Sequence, residues 1–349
     1  MRLPLNLYQF NIGLLQENPQ YYQFQTPQFE PVQKITKKKK LGPWLYIIMF
    51  MVTCITTVMG GVYWMGRDPY DISNFHLGIT YASLVILFLT FHEFGHYFAA
   101  KYHKIDTTLP LYIPMPMPDL LNPFGTMGAV IRIRDPIKTR KALFDIGIAG
   151  PIAGFVVSVA ALIYGLLTLP SIDYLYSIHP EYVSGGLPPV NGITFANTLL
   201  YSILSKVLPL PQNAFLPPMN EIYHYPFLCA GWFGLFVTSL NLMPIGQLDG
   251  GHITYALLGS KHKIVARFFF GLLIIMSAIG GLNELGWTNW YDYGSLMWVV
   301  WVVLLLFLIK IDHPPIYDAE PIGTTRKLLG VFALIMFLCS FTPSPINVF

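Results

Sequence analysis

The sequence predicts an all-α polytopic membrane protein with about six to seven transmembrane helices and a small membrane-associated β-hairpin. Of the 349 residues, 54% are hydrophobic and only 11% are charged. Soluble globular domains carry about 25% charged residues. The apolar residues also fall into windows of about 20 residues, the length of helix that crosses a bilayer. A chain with so little charge cannot cover a water-facing surface, so the lipid bilayer is an expected partner.

Seven apolar windows mark the expected spans. In chain order they are Trp44 to Met65, His76 to Ala100, Ile146 to Leu169, Tyr225 to Leu242, Val265 to Leu282, Leu296 to Ile309 and Leu328 to Phe341. The last window is short, which leaves open whether it crosses the bilayer. We therefore expect an N-terminal arm over residues 1–43, a core over 44–260 and C-terminal helices over 261–349.

The distribution of lysine and arginine predicts the orientation. These residues precede the first window and fill the connections after the second, fourth and sixth windows, whereas the other connections hold only Arg67 and Lys206. Since cytoplasmic loops carry the excess of positive charge, we expect a multi-pass protein of the bacterial inner membrane with a cytosolic N-terminus. Residues 1–40 lack the pattern of a signal peptide and are interpreted as a cytosolic arm. The net charge of only +3 gives no reason to expect nucleic acid as a partner.

Two connections have features of their own. In the cytosolic segment 105–145, the prolines of Leu111–Pro118 exclude a helix, and residues 124–133 are rich in strand-forming types. This segment is therefore predicted to form a short hairpin at the membrane, with one edge open and its backbone shielded by protein. The external segment 170–224 is rich in proline and contains an amphipathic piece, Thr198–Leu208.

The pentapeptide His92-Glu93-Phe94-Gly95-His96 lies inside the second apolar window. Two histidines four residues apart share one helix face and can bind one metal ion, and the glutamate between them can act as a general base. Ionisable groups at membrane depth are costly, so their presence there favours a functional site over a satisfied polar cluster. Zinc-dependent hydrolysis of a substrate within the membrane is the leading hypothesis.

Asp249 is the best candidate for a third metal ligand, because catalytic zinc usually has three protein ligands. It lies in the run Asn241-Leu242-Met243-Pro244-Ile245-Gly246-Gln247-Leu248-Asp249-Gly250-Gly251-His252. Pro244 should break the helix, and the following glycines allow a bend and a close approach. The alternative is that Asp249 only caps the next helix. His252 is less suited as the ligand than this carboxylate.

The two motifs together, His92-Glu93-Phe94-Gly95-His96 and Asn241-x-x-Pro244-x-x-x-x-Asp249-Gly250, resemble the site-2 protease family of intramembrane zinc metalloproteases. Gly147–Gly154 and Gly231-Trp232 support the resemblance, which covers about residues 76–260. We find no PDZ or CBS domain pattern, so the expected form lacks both. The resemblance implies hydrolysis of peptide bonds in or near transmembrane segments of membrane-protein substrates, that is, regulated intramembrane proteolysis.

The resemblance also implies roles for individual residues. One Zn²⁺ ion would be held by His92, His96 and Asp249, with Glu93 as the catalytic base. The hairpin would present an edge to the substrate. Substrate positioning is expected from Asn241 and from hairpin residues Gly125, Thr126, Met127 and Gly128.

Two other functions fit parts of the pattern. Polar residues and a broken helix near the bilayer midplane also occur in transporters, and a metal-binding scaffold would use the same ligands. Neither gives a reason for a glutamate directly after the first histidine. An inactive relative is the third reading, but every expected catalytic residue is present.

Overall fold

The computed structural model describes residues 42–115, 124–186, 192–316, 318 and 320–348. The expected N-terminal arm, up to Leu41, lies outside the described residues, as do Pro116 and Pro118 of the proline-rich segment. The helices of the described ranges are α1 (Pro43–Trp64), α2 (Phe75–Tyr102), α3 (Arg140–Leu167), α4 (Asp173–Ile178), α5 (Tyr182–Gly185), α6 (Leu199–Val207), α7 (Pro226–Asn241), α8 (Asp249–Leu258), α9 (His262–Glu284), α10 (Met297–Leu304) and α11 (Thr324–Ser340). The strands are β1 (Leu111–Pro114), β2 (Thr126–Val130), β3 (Ile193–Phe195) and β4 (Ile346–Val348).

Four helical segments within these ranges are long and apolar enough to cross a membrane. They are Pro43–Trp64, Ile72–Tyr102, Arg140–Leu167 and Asp249–Glu284, the last joining α8 to α9. The mostly helical membrane fold is thus confirmed, but six to seven spans are not. The predicted fourth and sixth spans correspond to shorter apolar helices, Pro226–Asn241 and Met297–Ile309. α7 is short because it stops at Asn241, ahead of the turn that contains Pro244.

The outer and inner faces of α1 differ in the way expected for a membrane helix. Trp44 and Ile48 on the outer face are 72% and 56% exposed, whereas Thr53 and Thr57 are fully buried. The Thr57 hydroxyl donates to the Thr53 carbonyl at 2.7 Å, so the buried hydroxyl is satisfied within its own helix. An exposed apolar face is stable only against lipid or another apolar surface.

Small residues allow the central helices to pack closely. A Cβ on Gly95 of α2 would lie 2.6 Å from the carbonyl oxygen of Ala149 on α3. A Cβ on Gly231 of α7 would lie 2.7 Å from the side chain of Leu162 on α3. Contacts this short require glycine, which lets helices approach closely in the membrane. α3 is therefore packed against both α2 and α7, which carry the two predicted site motifs.

The predicted hairpin is present between α2 and α3. β1 and β2 pair antiparallel, with Leu111 opposite Val130, and an isolated bridge joins Thr107 to Ile133. The strand is shorter than the predicted range 124–133, because β2 ends at Val130 and only that bridge continues the pairing. The Arg132 carbonyl instead accepts hydrogen bonds from the backbone and the hydroxyl of the 107–108 segment.

A second two-stranded sheet was not predicted. β3, in the segment after α3, pairs antiparallel with β4, which follows α11. The Ala196 backbone N–H extends this pairing by donating to the Pro345 carbonyl at 2.8 Å. The amphipathic piece at Thr198–Leu208 is confirmed as α6, whose first turn is capped by the Thr198 hydroxyl. The segment between α3 and α7 is thus joined to the chain that follows α11.

Candidate metal centre

His92 and His96 lie one turn apart on α2, and both are buried, with 4% and 7% of their surface exposed. His96 Nδ1 lies 2.7 Å from the carbonyl oxygen of Ile146 on α3. A carbonyl can only accept, so Nδ1 carries the hydrogen and Nε2 presents its lone pair. This is the tautomer in which a histidine binds metal through Nε2 while a backbone carbonyl fixes the ring.

The chain between α7 and α8 turns sharply to deliver Asp249. Gly246 has φ +56° and its N–H donates to the Ile311 carbonyl at 2.9 Å. A Cβ on Gly250 would collide with the backbone of Leu242, so the start of α8 lies directly against the end of α7. Asp249 is the first residue of α8, and no side chain caps that helix. Its carboxylate instead reaches the histidines of α2, which argues against a role limited to capping.

Three donor atoms converge at this point. His92 Nε2 and His96 Nε2 are 3.1 Å apart, and Asp249 Oδ2 lies 3.4 Å and 3.3 Å from them. Two imidazole nitrogens and a carboxylate oxygen are a donor set that suits zinc. Two nitrogen lone pairs held this close repel each other unless a proton or a cation lies between them. The residues therefore fit a divalent metal ion.

Two glycines on α3, Gly150 and Gly154, pack directly against the two imidazole rings. A Cβ on Gly150 would overlap the ring of His96. A Cβ on Gly154 would lie 3.2 Å from His92 Nδ1 and 2.8 Å from Phe88. The small-residue pattern at these positions predicted close helix packing, and that packing occurs where α2 carries the two histidines.

Glu93 connects the metal centre to the hairpin. Its side chain is buried, with 7% exposed, and its carboxylate lies near the backbone of Ile131, just after β2. Tyr112 of β1 is also fastened to α2, because its hydroxyl lies 2.7 Å from that of Thr90. A carboxylate beside two metal-binding imidazoles can exchange a proton with a water molecule, and this one lies next to an edge of a sheet.

Asn241, at the end of α7, lies at the metal centre. Its Nδ2 is 3.3 Å from His92 Nε2. The amide nitrogen can only donate, so this contact leaves the Nε2 atom as the acceptor and puts the hydrogen of His92 on Nδ1. His92 Nδ1 is buried and has no hydrogen-bond partner among the described residues.

The four predicted hairpin residues divide into two buried and two accessible ones. Gly125 has φ +76° and no room for a Cβ against the backbone of Thr56. The Thr126 hydroxyl is buried and donates to the Ile113 carbonyl at 2.9 Å. In contrast, Met127 is 57% exposed, and Gly128 has φ +99° with open space around it.

A basic residue fixes the far end of α8. The Arg140 guanidinium, at the start of α3, donates to the carbonyls of Ala256 and Leu257 in the last turn of that helix. A cation at a helix C-terminus satisfies free carbonyls and interacts favourably with the helix dipole. Arg140 was counted only as a topology signal in the sequence, yet it helps to orient the helix that begins with Asp249.

Sequence reasoning missed those contributions to the centre that come from the backbone. The Ile146 carbonyl and the Ile131 backbone use atoms that every residue type carries, so composition gives no signal for them. Gly150 and Gly154 were visible as a small-residue pattern, but their partners across the helix interface were not.

The sequence profile of peptidase family M50 matches residues 80–279, which include both motifs of the metal centre. This chain belongs to peptidase family M50. The resemblance to the site-2 proteases, which this family comprises, is thereby confirmed. The matched range begins in α2 and ends in α9, so α1, α10 and α11 lie outside it.

Three curated plant proteins are similar to most of this chain. Probable zinc metalloprotease EGY1, chloroplastic, of Oryza sativa subsp. japonica is 31% identical over 75% of this chain and 40% of its own length. The protein of that name from Arabidopsis thaliana is 27% identical over 78% and 44%. Probable zinc metalloprotease EGY2, chloroplastic, of Arabidopsis thaliana is 26% identical over 77% and 42%. The chain thus spans less than half the length of these relatives.

No solved structure matches the chain. The names of the relatives place them in chloroplasts, so they do not support the predicted bacterial inner membrane or cytosolic N-terminus.

Proposed function

We propose that this protein is an intramembrane zinc endopeptidase that cleaves transmembrane segments of other proteins. One observation carries the proposal: in an M50 chain, His92, His96 and Asp249 converge within 3.4 Å among apolar helices, with Glu93 beside them. The relatives that are named zinc metalloproteases support the same activity.

The three converging residues would hold one Zn²⁺ ion. Bound there, zinc supplies Lewis-acid polarisation of the scissile carbonyl and makes a water molecule acidic enough to attack at neutral pH. Asn241 Nδ2, 3.3 Å from His92 Nε2, would lie beside the ion and near the substrate, because the single lone pair of Nε2 would be given to zinc. The Ile146 carbonyl keeps His96 in the required tautomer.

Glu93 would act as the catalytic base and acid. It takes a proton from the attacking water and returns it to the nitrogen of the leaving amine. Its carboxylate lies near the Ile131 backbone, next to the hairpin. Burial excludes bulk water from competing for this proton.

The open edge of β2 would hold the substrate extended. A helical substrate hides its carbonyls in hydrogen bonds, so it must unwind before attack, and strand addition stabilises the unwound form. In the described residues β2 pairs only with β1 in its sheet. Exposed Met127 and unobstructed Gly128 lie on this strand, whereas Gly125 and Thr126 fix it from within.

We further propose seven crossings, made by α1, α2, α3, α7, α9, α10 and α11. Asp145 near the start of α3 pairs with Arg326 near the start of α11 at 2.7 Å, and Arg267 near the start of α9 pairs with Asp312 after α10 at 3.1 Å. These ion pairs support placing the starts of α3, α9 and α11 and the end of α10 on one side of the membrane, and Arg140 links the end of α8 to that side. The β3–β4 sheet supports placing the ends of α3 and α11 on the other side.

Labelling from each side of sealed vesicles tests these crossings. Cysteines placed at Lys261 and Trp287, on either side of α9, should react from opposite sides after the three native cysteines are replaced by serine. Both sites reacting from one side would contradict the seven-crossing arrangement. The side that exposes Lys261 is the one we propose to be cytosolic.

Replacement of Glu93 by Gln tests the activity. The purified variant should keep its zinc but lose cleavage of a fluorogenic transmembrane peptide, because glutamine cannot exchange the proton. Glu284→Gln, the same change at an exposed position on α9, is the matched control and should keep both. A Glu93→Gln variant as active as the parent would refute the mechanism, and zinc binding without cleavage in the parent would favour a transporter or scaffold.

A further inference from the structure

A second group of two imidazoles and a carboxylate lies in the segment between α3 and α7. His179 Nε2 and His224 Nε2 are 2.9 Å apart, and Glu221 Oε2 lies 3.4 Å from His224 Nε2. His179 follows α4 directly, whereas Glu221 and His224 lie just before α7. Neither the proposed peptidase activity nor the family motifs involve these residues.

The hydrogen bonds of both rings leave two lone pairs facing each other. His224 Nδ1 lies 2.6 Å from the Trp64 carbonyl oxygen, which can only accept, so Nδ1 carries the hydrogen. His179 Nδ1 lies 2.9 Å from the carboxylate of Glu181, which likewise accepts. Both Nε2 atoms are therefore available as acceptors. At 2.9 Å their mutual repulsion must be relieved by a proton or a metal ion between them.

The carboxylate of this group also requires a partner. Glu221 and His224 are each only 2% exposed. Glu221 Oε1 accepts from the Tyr182 hydroxyl at 3.1 Å, but Oε2 is buried and has no hydrogen-bond partner among the described residues. A buried carboxylate oxygen without a donor is destabilising, and a cation bound to it would remove that cost.

Part of the geometry matches that of the peptidase metal centre: the two edges that meet at His224 Nε2 are 2.9 Å and 3.4 Å, and all ligand atoms of the group lie within 4.8 Å of one another. In the peptidase centre the two Nε2 atoms are 3.1 Å apart with a carboxylate oxygen at 3.3–3.4 Å, and a backbone carbonyl holds one ring through Nδ1. Zinc–nitrogen bonds of about 2.0–2.1 Å in a tetrahedron separate the ligand atoms by about 3.3 Å. The peptidase group is close to that spacing on all three edges, and the second group is close to it on the two edges that involve His224.

We propose that His179, Glu221 and His224 bind a second zinc-class divalent cation, on the side of the molecule where β3 and β4 pair. His224 is attached to the end of α1 through Trp64, and its own carbonyl accepts from the Tyr174 hydroxyl of α4 at 2.7 Å. The ion would therefore fasten α4, the start of α7 and the end of α1 together. The His179 side chain is 25% exposed, which leaves one side of the ion open to water.

Zinc stoichiometry of the full chain tests the proposal. Purified protein is equilibrated with buffered free zinc and its metal content is measured by mass spectrometry. In a background of His92→Ala and His96→Ala, which removes the peptidase centre, one zinc ion per chain should remain. Adding His179→Ala should remove it, whereas adding His76→Ala, an exposed histidine outside the group, should not.

The result that would overturn the proposal is a His92→Ala/His96→Ala protein that binds no zinc while the parent binds one ion. That result would show that the two rings share a proton instead. It would leave the proposed peptidase function intact, because the two centres are counted separately.

A second variant and a second measurement guard against misfolding. Glu221→Gln preserves the side-chain shape and should weaken zinc binding in the same background by more than about tenfold, the lower end of the cost of losing an outer-shell partner. In the parent, zinc should slow amide hydrogen exchange in residues 173–185 and 221–225. Unchanged exchange in both segments would also count against the site.

Discussion

Gly150→Ala should disable the peptidase centre without touching any ligand. A Cβ at this position would lie well under 3.0 Å from three atoms of the His96 ring, whereas ordinary contacts begin at 3.4 Å. The ring cannot move away freely, because its Nδ1 is hydrogen-bonded at 2.7 Å to the carbonyl of Ile146, which lies one turn before Gly150 on α3. Relief of the overlap therefore requires movement of more than an ångström by the ring or by the α2–α3 packing.

The size of the effect follows from this displacement. A misplacement of about 1 Å in a catalytic constellation can reduce the rate by about 100-fold. Loss of the outer-shell hydrogen bond to a metal-binding histidine weakens metal binding by about 10- to 100-fold. We expect both for Gly150→Ala, measured as kcat/KM on a transmembrane peptide at saturating zinc and as zinc affinity against a competing chelator.

A graded series makes the reasoning refutable. Gly154→Ala should have a smaller effect, because its Cβ would lie 3.2 Å from His92 Nδ1 and its shorter contact, 2.8 Å, is with Phe88, which is not a ligand. Gly271→Ala on α9 meets nothing within 4 Å and should behave like the parent. If Gly150→Ala had the same zinc affinity and kcat/KM as Gly271→Ala, the close packing of Gly150 against His96 would have no role in the metal centre.

Three further outcomes are expected. Arg140→Met should lower the free energy of unfolding by about 2 kcal/mol, and with it the melting temperature, because the carbonyls at the end of α8 lose a charged donor. Asn241→Ala should lower kcat/KM by about 10- to 100-fold with zinc retained, because the polar group beside the metal centre is lost. Burial lowers the pKa of His224 to about 4. An unfolded histidine has a pKa near 6.5, so as the pH falls the unfolded chain binds this proton before the folded chain does. The melting temperature of the zinc-free protein should therefore decrease as the pH is lowered from about 6.5 to about 4.

Each of these expectations has a matched comparison. Lys138→Met removes an exposed cation near Arg140 and should leave the melting temperature unchanged. Asn197→Ala changes an exposed amide and should leave kcat/KM unchanged. His224→Gln should reduce the loss of stability below pH 6.5, whereas His76→Gln should not. A variant that behaved like its comparison would contradict the contact assigned to it.

The sequence predicted the helices that carry the candidate site because the relevant signals are local. The spacing of His92 and His96 follows from helix geometry alone, and Pro244 marks the break after α7. That Asp249 reaches both rings depends on the turn at Gly246 and on packing against α7. Those contacts join residues about 150 positions apart, which no local pattern encodes.

Other features were lost for equally physical reasons. β3 and β4 are three residues each and far apart in the sequence, too short for periodicity to detect. His179 and His224 meet across 45 positions of the chain, so their spacing in the sequence gives no signal of a shared site. The ends of the spans shifted where a cap outweighs hydropathy, as at Thr139, whose hydroxyl accepts from the Ala142 N–H and starts α3 before Ile146.

The β3–β4 sheet can form only late in synthesis, because its two strands are far apart in the sequence. Phe195 leaves the ribosome about 150 residues before its partner Ile346, an interval of roughly 8 to 30 s at 5–20 residues per second. During that time the edge of β3 is bare and can attract any other extended chain. A chaperone or the translocation machinery would therefore have its greatest effect on this nascent edge, late in synthesis.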